Sequence, residues 1–209
     1  MVIIPFGKNG ESLYLFDEPK PLNMKKWVVG SLVGAIIVFL WQFASWSFLP
    51  IHDKTSKYTA NQDQIMNALN SNLTEDGMYM LPSAPTKKEQ MDLMKTMEGK
   101  PSASVIYHKS TDTSMTMRMI RGFLVDFFLV ISLIYVLTRG GTPIARRVFS
   151  GAVALGLFTF LWGEYTAHIW FALPWHMIMG DLIDSIVAWG LCGLWVGWWL
   201  NRGNKPAAA

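Results

Sequence analysis

Four long apolar runs, separated by two short links and one long polar segment, dominate the pattern of the chain. A helix needs about 20 mostly apolar residues to cross a hydrocarbon core about 30 Å thick. The first run has no charged residue, and each of the other three carries one or two acidic side chains. The pattern predicts a bundle of four membrane-spanning helices, over residues 27–49, 122–138, 148–173 and 178–200.

The polar segment between the first two spans, residues 50–121, shows mixed helical and strand patterns. Apolar residues recur at helical spacing over residues 61–73 and 86–98, and each stretch begins with a residue pattern typical of a capping box. Residues 77–81 and 102–108 have the character of short strands. The sequence therefore predicts a mainly α membrane protein in which a small α+β domain, outside the cytoplasm, joins the first and second helices.

The first 26 residues precede the first span. Two short apolar stretches, residues 2–6 and 12–16, flank a turn-forming Gly-Lys-Asn-Gly sequence. This arrangement favours a cytoplasmic β-hairpin within residues 1–26, and a disordered tail is the alternative.

Basic residues set the predicted orientation. Cytoplasmic loops of membrane proteins carry an excess of Lys and Arg. One side of the bundle collects them before the first span, in the link 139–147 and in the tail 201–209, whereas the tight turn 174–177 on the other side has none. We therefore expect a multi-pass protein of the bacterial cytoplasmic (inner) membrane with both termini in the cytoplasm. The basic residues are Lys25, Lys26, Arg139, Arg146, Arg147, Arg202 and Lys205.

Composition agrees with a membrane protein and narrows the chemistry. Hydrophobic residues make up 51% of the 209 residues and charged residues only 16%, against about 25% charged in soluble domains. The net charge of +3 requires no nucleic-acid partner. Cys192 is the single cysteine, so an internal disulfide and a cysteine-based metal cluster are excluded.

Small residues in the first and fourth spans indicate close helix packing. The spacing of Gly30 and Gly34 is a GxxxG pattern, and Gly193 and Gly197 repeat it beside Gly190. Such residues let helix backbones approach each other in lipid. Besides the bilayer, the expected partners are other integral membrane subunits or further copies of the chain.

Polar residues in the spans have a structural interpretation. At 1.5 Å per residue, Asp126, Glu164 and Asp184 all fall in the extracytoplasmic part of a ~30 Å core. Acidic residues there usually face protein or water. We expect these three carboxylates to form a structural cluster with Arg118 and Arg121, which precede the second span.

The alternative interpretation is a metal site. Glu164 and His168 are four residues apart on one predicted helix face, Asp181 and His176 follow the next turn, and His52 follows the first span. Imidazole ligands suit copper or zinc, and the many methionines of the segment 50–121 would suit Cu(I). We expect no cofactor, with copper or zinc as the alternative.

A resemblance supports the architecture. Residues 49–53 (LPIHD), 77–79 (GMY) and 105–108 (VIYH) resemble a loose group of uncharacterised bacterial four-helix membrane proteins with a small extracytoplasmic domain. The resemblance spans the chain from about residue 27 to the fourth helix. It implies the layout of the chain and assigns no catalytic residue.

Three functions remain open from the sequence. The chain has no phosphate loop, dinucleotide fingerprint, GxSxG elbow or HExxH motif, so we do not expect an enzyme. The leading hypothesis is a non-catalytic accessory or scaffolding subunit of a larger bacterial membrane complex, with an energy-transducing complex as a candidate. The alternatives are an extracytoplasmic copper-handling protein and an oligomeric proton- or ion-conducting protein.

Overall fold

The computed structural model describes residues 23–202, which divide into two compact units. One unit, here called the helical bundle, contains the four long helices. The other, the loop domain, is Lys57–Met115. The hairpin predicted within residues 1–26 lies outside the described residues.

Four helices of the bundle are long and apolar enough to cross a membrane, which confirms the predicted number of long apolar helices. The third of these is one continuous helical run whose middle is π-helical, with five residues wound more loosely than an α-helix. The elements are α1 (Met24–Ser47), α4 (Met115–Thr138), α5 (Ala145–Phe160), the π segment (Leu161–Tyr165), α6 (Thr166–Phe171) and α7 (Trp175–Asn201).

All four spans begin earlier than predicted. Helix α4 starts at Met115, seven residues before the predicted start at Gly122, so residues 115–121 are helical. Helices α1, α5 and α7 each start three residues early, at Met24, Ala145 and Trp175. The reason is physical: hydropathy marks where a helix enters an apolar medium, whereas helical hydrogen bonding continues into polar and interfacial residues.

Helix α7 packs closely against α5 because glycines remove the side chains between them. A Cβ atom built on Gly193 would lie 2.8 Å from Ala152 Cβ and 3.0 Å from Phe149 Cα. One built on Gly197 would lie 3.0 Å from the Ala145 carbonyl oxygen. Backbone atoms therefore approach each other where a larger residue would not fit.

The glycines of α1 serve α4 and α7 in the same way. A Cβ on Gly34 would lie 2.8 Å from Val130 Cγ1 and 3.3 Å from Cys192 Sγ. Gly190 is less crowded, with ordinary contact distances only. The buried core around these contacts comprises Val38, Val130, Leu133, Ile134, Val148, Ala152, Ala188, Trp189, Cys192, Val196 and Leu200.

Polar contacts join α1 and α7 at the end of the bundle that carries the basic residues, here called the Lys26 end. The indole of Trp199 donates to the Lys26 carbonyl oxygen at 2.9 Å, and that of Trp195 donates to the Gly30 carbonyl oxygen at 3.2 Å. The Lys26 ammonium donates to the Leu200 carbonyl oxygen at 2.9 Å. A cation is favourable there, because the last carbonyls of a helix carry partial negative charge.

The loop domain contains the two helices and two strands that the sequence predicts. The strands pair antiparallel, with Gly77 opposite Tyr107 and Leu81 opposite Ala103. Tyr107 is buried, and its hydroxyl donates to Asn70 Oδ1 at 2.9 Å. The elements are α2 (Gln62–Asn72), β1 (Gly77–Leu81), α3 (Lys87–Lys95) and β2 (Ala103–Tyr107).

The two predicted capping boxes differ in outcome. Thr86 Oγ1 accepts a hydrogen bond from the Glu89 amide at 3.3 Å, which caps α3. Asn61 makes no side-chain cap of α2. Its φ and ψ of −90° and 17° are not the extended conformation in which a capping side chain reaches the next amides.

Candidate functional site

The candidate site lies at the opposite end of the bundle from Lys26, here called the His52 end, and is centred on Asp184 of α7. Trp41 Nε1 and Ser45 Oγ donate to Asp184 Oδ1 at 2.9 and 2.6 Å. His52 Nε2 lies 2.9 Å from Asp184 Oδ2. Because a carboxylate only accepts, all three groups donate to it. One carboxylate of α7 thus binds three donors from α1 and the turn that follows it.

His52 is held in place by its ring as well as by its nitrogen. Trp46 stacks on the imidazole with a centroid distance of 3.9 Å and an interplanar angle of 10°. The ring also lies against Gly180, where a Cβ atom would be 2.5 Å from Cε1 and Nδ1. The His52 side chain is only 5% exposed, so glycine at position 180 leaves the space that the imidazole occupies.

Ser45, His52 and Asp184 have the residue types of a hydrolase triad but a different geometry. In a triad, one imidazole nitrogen contacts the serine and the other contacts the aspartate. Here Nε2 contacts both, at 3.2 Å from Ser45 Oγ and 2.9 Å from Asp184 Oδ2. Ser45 is fully buried and already donates to Asp184. The arrangement is a hydrogen-bonded network that joins two helices in a geometry different from that of a triad, and His52 Nδ1 is buried without a hydrogen-bond partner.

A second carboxylate in the bundle, Asp126 of α4, is buried and has fewer hydrogen bonds than Asp184. Gln42 Nε2 donates to its Oδ1 at 3.3 Å. Its Oδ2 is buried with no hydrogen-bond partner, and the side chain is 4% exposed. Gln42 and Ser45, one helical turn apart on α1, therefore serve two different acids.

The predicted partners of these acids differ from the observed ones. The hydrogen bonds to Asp184 and Asp126 come from α1 and the turn after it rather than from Arg118 or Arg121, which are exposed. Sequence reasoning missed Trp41 and Ser45. They lie four residues apart in an uncharged span, where nothing nearby in the chain marks the acid that they contact.

The five predicted metal ligands are not brought together. His52 lies in the Asp184 network, and His176 is exposed. The imidazole Nδ1 of His168 donates to the Leu173 carbonyl oxygen at 2.5 Å, next to the rings of Tyr165 and Trp175. Within residues 23–202, no group of three His, Cys, Asp or Glu side chains is arranged to hold a metal ion.

Glu164 lies in the π segment and is exposed. No hydrogen bond or ion pair joins it to another residue of the described chain. Asp181 on α7 is near enough to interact with it electrostatically. At the neighbouring Gly163, a Cβ atom would meet nothing within 4 Å. The third span therefore presents an unpaired carboxylate on an open surface.

Comparison with protein-family models, curated proteins and solved structures finds no match to this chain.

Proposed function

We propose that this chain is a non-catalytic accessory subunit of a larger bacterial inner-membrane complex, with an energy-transducing complex as the candidate setting. The observation that carries the proposal is the unpaired, exposed carboxylate of Glu164 within the third apolar helix. The Asp184 network and the position of Glu164 support it in different ways.

The Asp184 network supports a structural role for the polar residues inside the bundle. Three donors bind the two oxygens of the carboxylate, and both Ser45 and His52 are buried. A buried network whose donors converge on one acid stabilises one arrangement of two helices. These hydrogen bonds therefore position α1 against α7.

The position of Glu164 supports a partner. The third span has 27 residues, so it is about 40 Å long at 1.5 Å per residue. Glu164 is seven residues from the end at Phe171, or about 10 Å along the axis. If a ~30 Å core is centred on the helix, the Glu164 backbone lies about 5 Å inside the hydrocarbon. A charge there is costly unless protein or water covers it.

The proposed orientation follows from the charges. The Lys26 end has the basic residues of α1, the α4–α5 link and the end of α7, and such an end is typically cytoplasmic. Under this orientation the loop domain and Glu164 belong to the extracytoplasmic side. Reporter fusions at Glu75 and Thr142 test it: an extracytoplasmic signal from Glu75 and a cytoplasmic signal from Thr142 are expected.

Ion conduction is the second candidate, and Asp126 favours it. A buried carboxyl oxygen without a partner is unusual and invites a functional explanation. However, the core between Asp126 and the Lys26 end is lined by apolar side chains such as Val130, Ile134 and Val196. A polar path through the whole bundle would need groups from other chains.

The accessory-subunit proposal is tested by extraction without detergent. Polymer-bounded nanodiscs that contain the affinity-tagged chain should also hold one or more other membrane proteins in a fixed ratio to it, as measured by quantitative mass spectrometry. An unrelated tagged four-helix membrane protein at matched expression is the control. Recovery of the chain alone, as a monomer, would contradict the proposal.

A further inference from the structure

We propose that the surface around Glu164 is a docking site for a transmembrane helix of a different protein, and that this helix presents a Lys or Arg side chain at the depth of Glu164. The inference rests on the accessory-subunit proposal and specifies the chemistry of the partner. Three observations carry it: the open backbone at Gly163, the apolar side chains beside it, and the unbalanced negative charge.

The backbone of the π segment is accessible to another helix. Nothing lies within 4 Å of the position that a Cβ of Gly163 would occupy. Small residues at a helix surface let a second helix approach closely in lipid. Leu161 and Trp162, in the same π segment, are 52% and 77% exposed, so the segment presents apolar side chains to its surroundings. π-Helical turns are also frequent at functional sites.

The charge of the surface defines the partner. Glu164 has no ion pair within the described chain, and the neighbouring Asp181 adds a second acidic group. A cation on the partner would therefore be attracted to this surface and would pair with Glu164. Arg suits this role particularly well, since its planar fork binds a carboxylate through two parallel hydrogen bonds.

The same charge argues against a second copy of this chain. A two-fold interface centred on Glu164 would bring each Glu164 against its symmetry mate, because the same patch faces itself. Two like charges in a low-dielectric contact repel each other strongly. A different protein with a basic residue at this position would avoid the repulsion and would pair with Glu164.

Photo-crosslinking in the native membrane locates the partner. A photoreactive phenylalanine at Leu161 or Tyr165, which flank Glu164 in the π segment and are 52% and 37% exposed, should crosslink to a transmembrane peptide of another protein, identified by mass spectrometry, with a Lys or Arg within one helical turn of the crosslink. Matched controls carry the same residue at Phe128 of α4 and Trp198 of α7, which are 64% and 52% exposed. These controls should yield less of that crosslink.

Charge reversal tests the ion pair. Glu164→Arg should lower recovery of the complex by at least about 30-fold, equivalent to ~2 kcal/mol, because it leaves two cations facing each other. Replacing the partner's Lys or Arg by Glu should restore it. Glu164→Gln should have a smaller effect in the same direction, and the exposed Glu98→Gln should have none. Thermal unfolding of each variant in nanodiscs shows that the bundle is folded.

Each other outcome overturns the inference. Crosslinks from Leu161 and Tyr165 only to lipid, to another copy of this chain, or to a helix without a nearby basic residue are incompatible with it. If the chain assembles with other subunits but crosslinks to them only through Phe128 or Trp198, the docking surface is wrong and the accessory function stands. Recovery of the chain alone, as a monomer, would contradict both the docking surface and the accessory function.

Discussion

The bundle and the loop domain each contain a histidine–aspartate pair, and the two pairs differ in almost everything but composition. In the bundle, His52 Nε2 and Asp184 Oδ2 are 2.9 Å apart, with side chains 5% and 14% exposed. In the loop domain, His108 Nδ1 and Asp76 Oδ2 are 3.4 Å apart, with side chains 61% and 59% exposed. The two pairs contain the same residue types, so the differences between them show the effect of burial.

In the loop domain, water solvates both side chains, so the pair contributes little to stability. Asp76 Oδ1 accepts a hydrogen bond from the Lys109 amide at 2.9 Å. This bond, together with His108, lowers the pKa of Asp76 below its ordinary value of 3.8. Exposed pairs are screened by water and salt, so Asp76 shapes a local turn.

In the bundle, both side chains are largely shielded from solvent, and each group depends on its protein partners. Removing one member of a buried pair leaves the other unpaired in a low-dielectric region, which is far more costly than losing an exposed pair. Asp126 tests the same idea within the bundle, because it is more deeply buried than Asp184 but only one of its oxygens is hydrogen-bonded.

The largest effect is expected for Asp184→Ala. The substitution leaves Trp41, Ser45 and His52 without their acceptor, and it should lower the free energy of unfolding by about 3–5 kcal/mol. Reversible unfolding in mixed detergent–lipid micelles measures it, with the exposed Asp53→Ala as control. A loss below about 1 kcal/mol, the level typical of an exposed pair, would erase the contrast between the two His–Asp pairs.

Gly180→Ala should give the next largest loss. The added methyl group would overlap the His52 ring, so the ring must move away from Asp184, at a cost of about 1–3 kcal/mol typical of overpacking. Gly122→Ala on α4 is the matched control, since nothing lies near its Cβ position. It should be neutral or stabilising by up to ~1 kcal/mol. Equal effects at the two glycines would mean that His52 does not need the space.

Asp126 should respond in the opposite direction to Asp184. Replacing a half-satisfied buried polar pair with apolar residues is often neutral or stabilising. The double variant Asp126→Leu with Gln42→Leu should therefore leave unfolding unchanged or raise its free energy by about 1 kcal/mol. The same micelle assay measures it. A loss as large as that of Asp184→Ala would show that Asp126 has a partner in the native protein.

The smallest effect is expected at Asp76. Its pKa is lowered in the folded state, so its contribution to stability is present above the ordinary value of 3.8 and is lost as the pH falls through the lower folded value. The contribution of Asp76 to stability should not change between pH 5 and pH 8, because this range lies above both pKa values. A carbon-13 NMR titration of the carboxyl in nanodiscs should give a midpoint below 3.8, and a midpoint above it would contradict the assignment.

The sequence predicted the spans because hydropathy is additive along a helix, and a run such as residues 27–49 is unambiguous in length. It did not predict the partners of Asp184. Trp41 and Ser45 lie in an uncharged span and carry no sign of the acid they contact, and the contact between α1 and α7 joins residues far apart in the chain. The sequence favours an arginine as the partner of such an acid, whereas the groups that donate to Asp184 are an indole, a hydroxyl and an imidazole.

The third span shows a second difference. Glu164 and His168 are four residues apart, which places them on one face of an α-helix. Glu164 lies in the loosely wound π segment Leu161–Tyr165, and His168 lies in the α-helical run that follows it. Glu164 is exposed, whereas His168 contacts the Leu173 carbonyl oxygen. A π-helical turn depends on packing around the helix and has no simple sequence signature.

The π segment also sets where the third span can change in length. In an α-helix, removing one residue turns everything beyond the deletion by about 100°, which would rotate Thr166–Phe171 away from their present contacts. A π-helical turn holds one residue more than the α-helical turn it replaces. Loss of a residue from Leu161–Tyr165 would therefore restore regular winding and leave α6 facing as it does now. Homologues with one residue fewer in this span are expected to have lost it here.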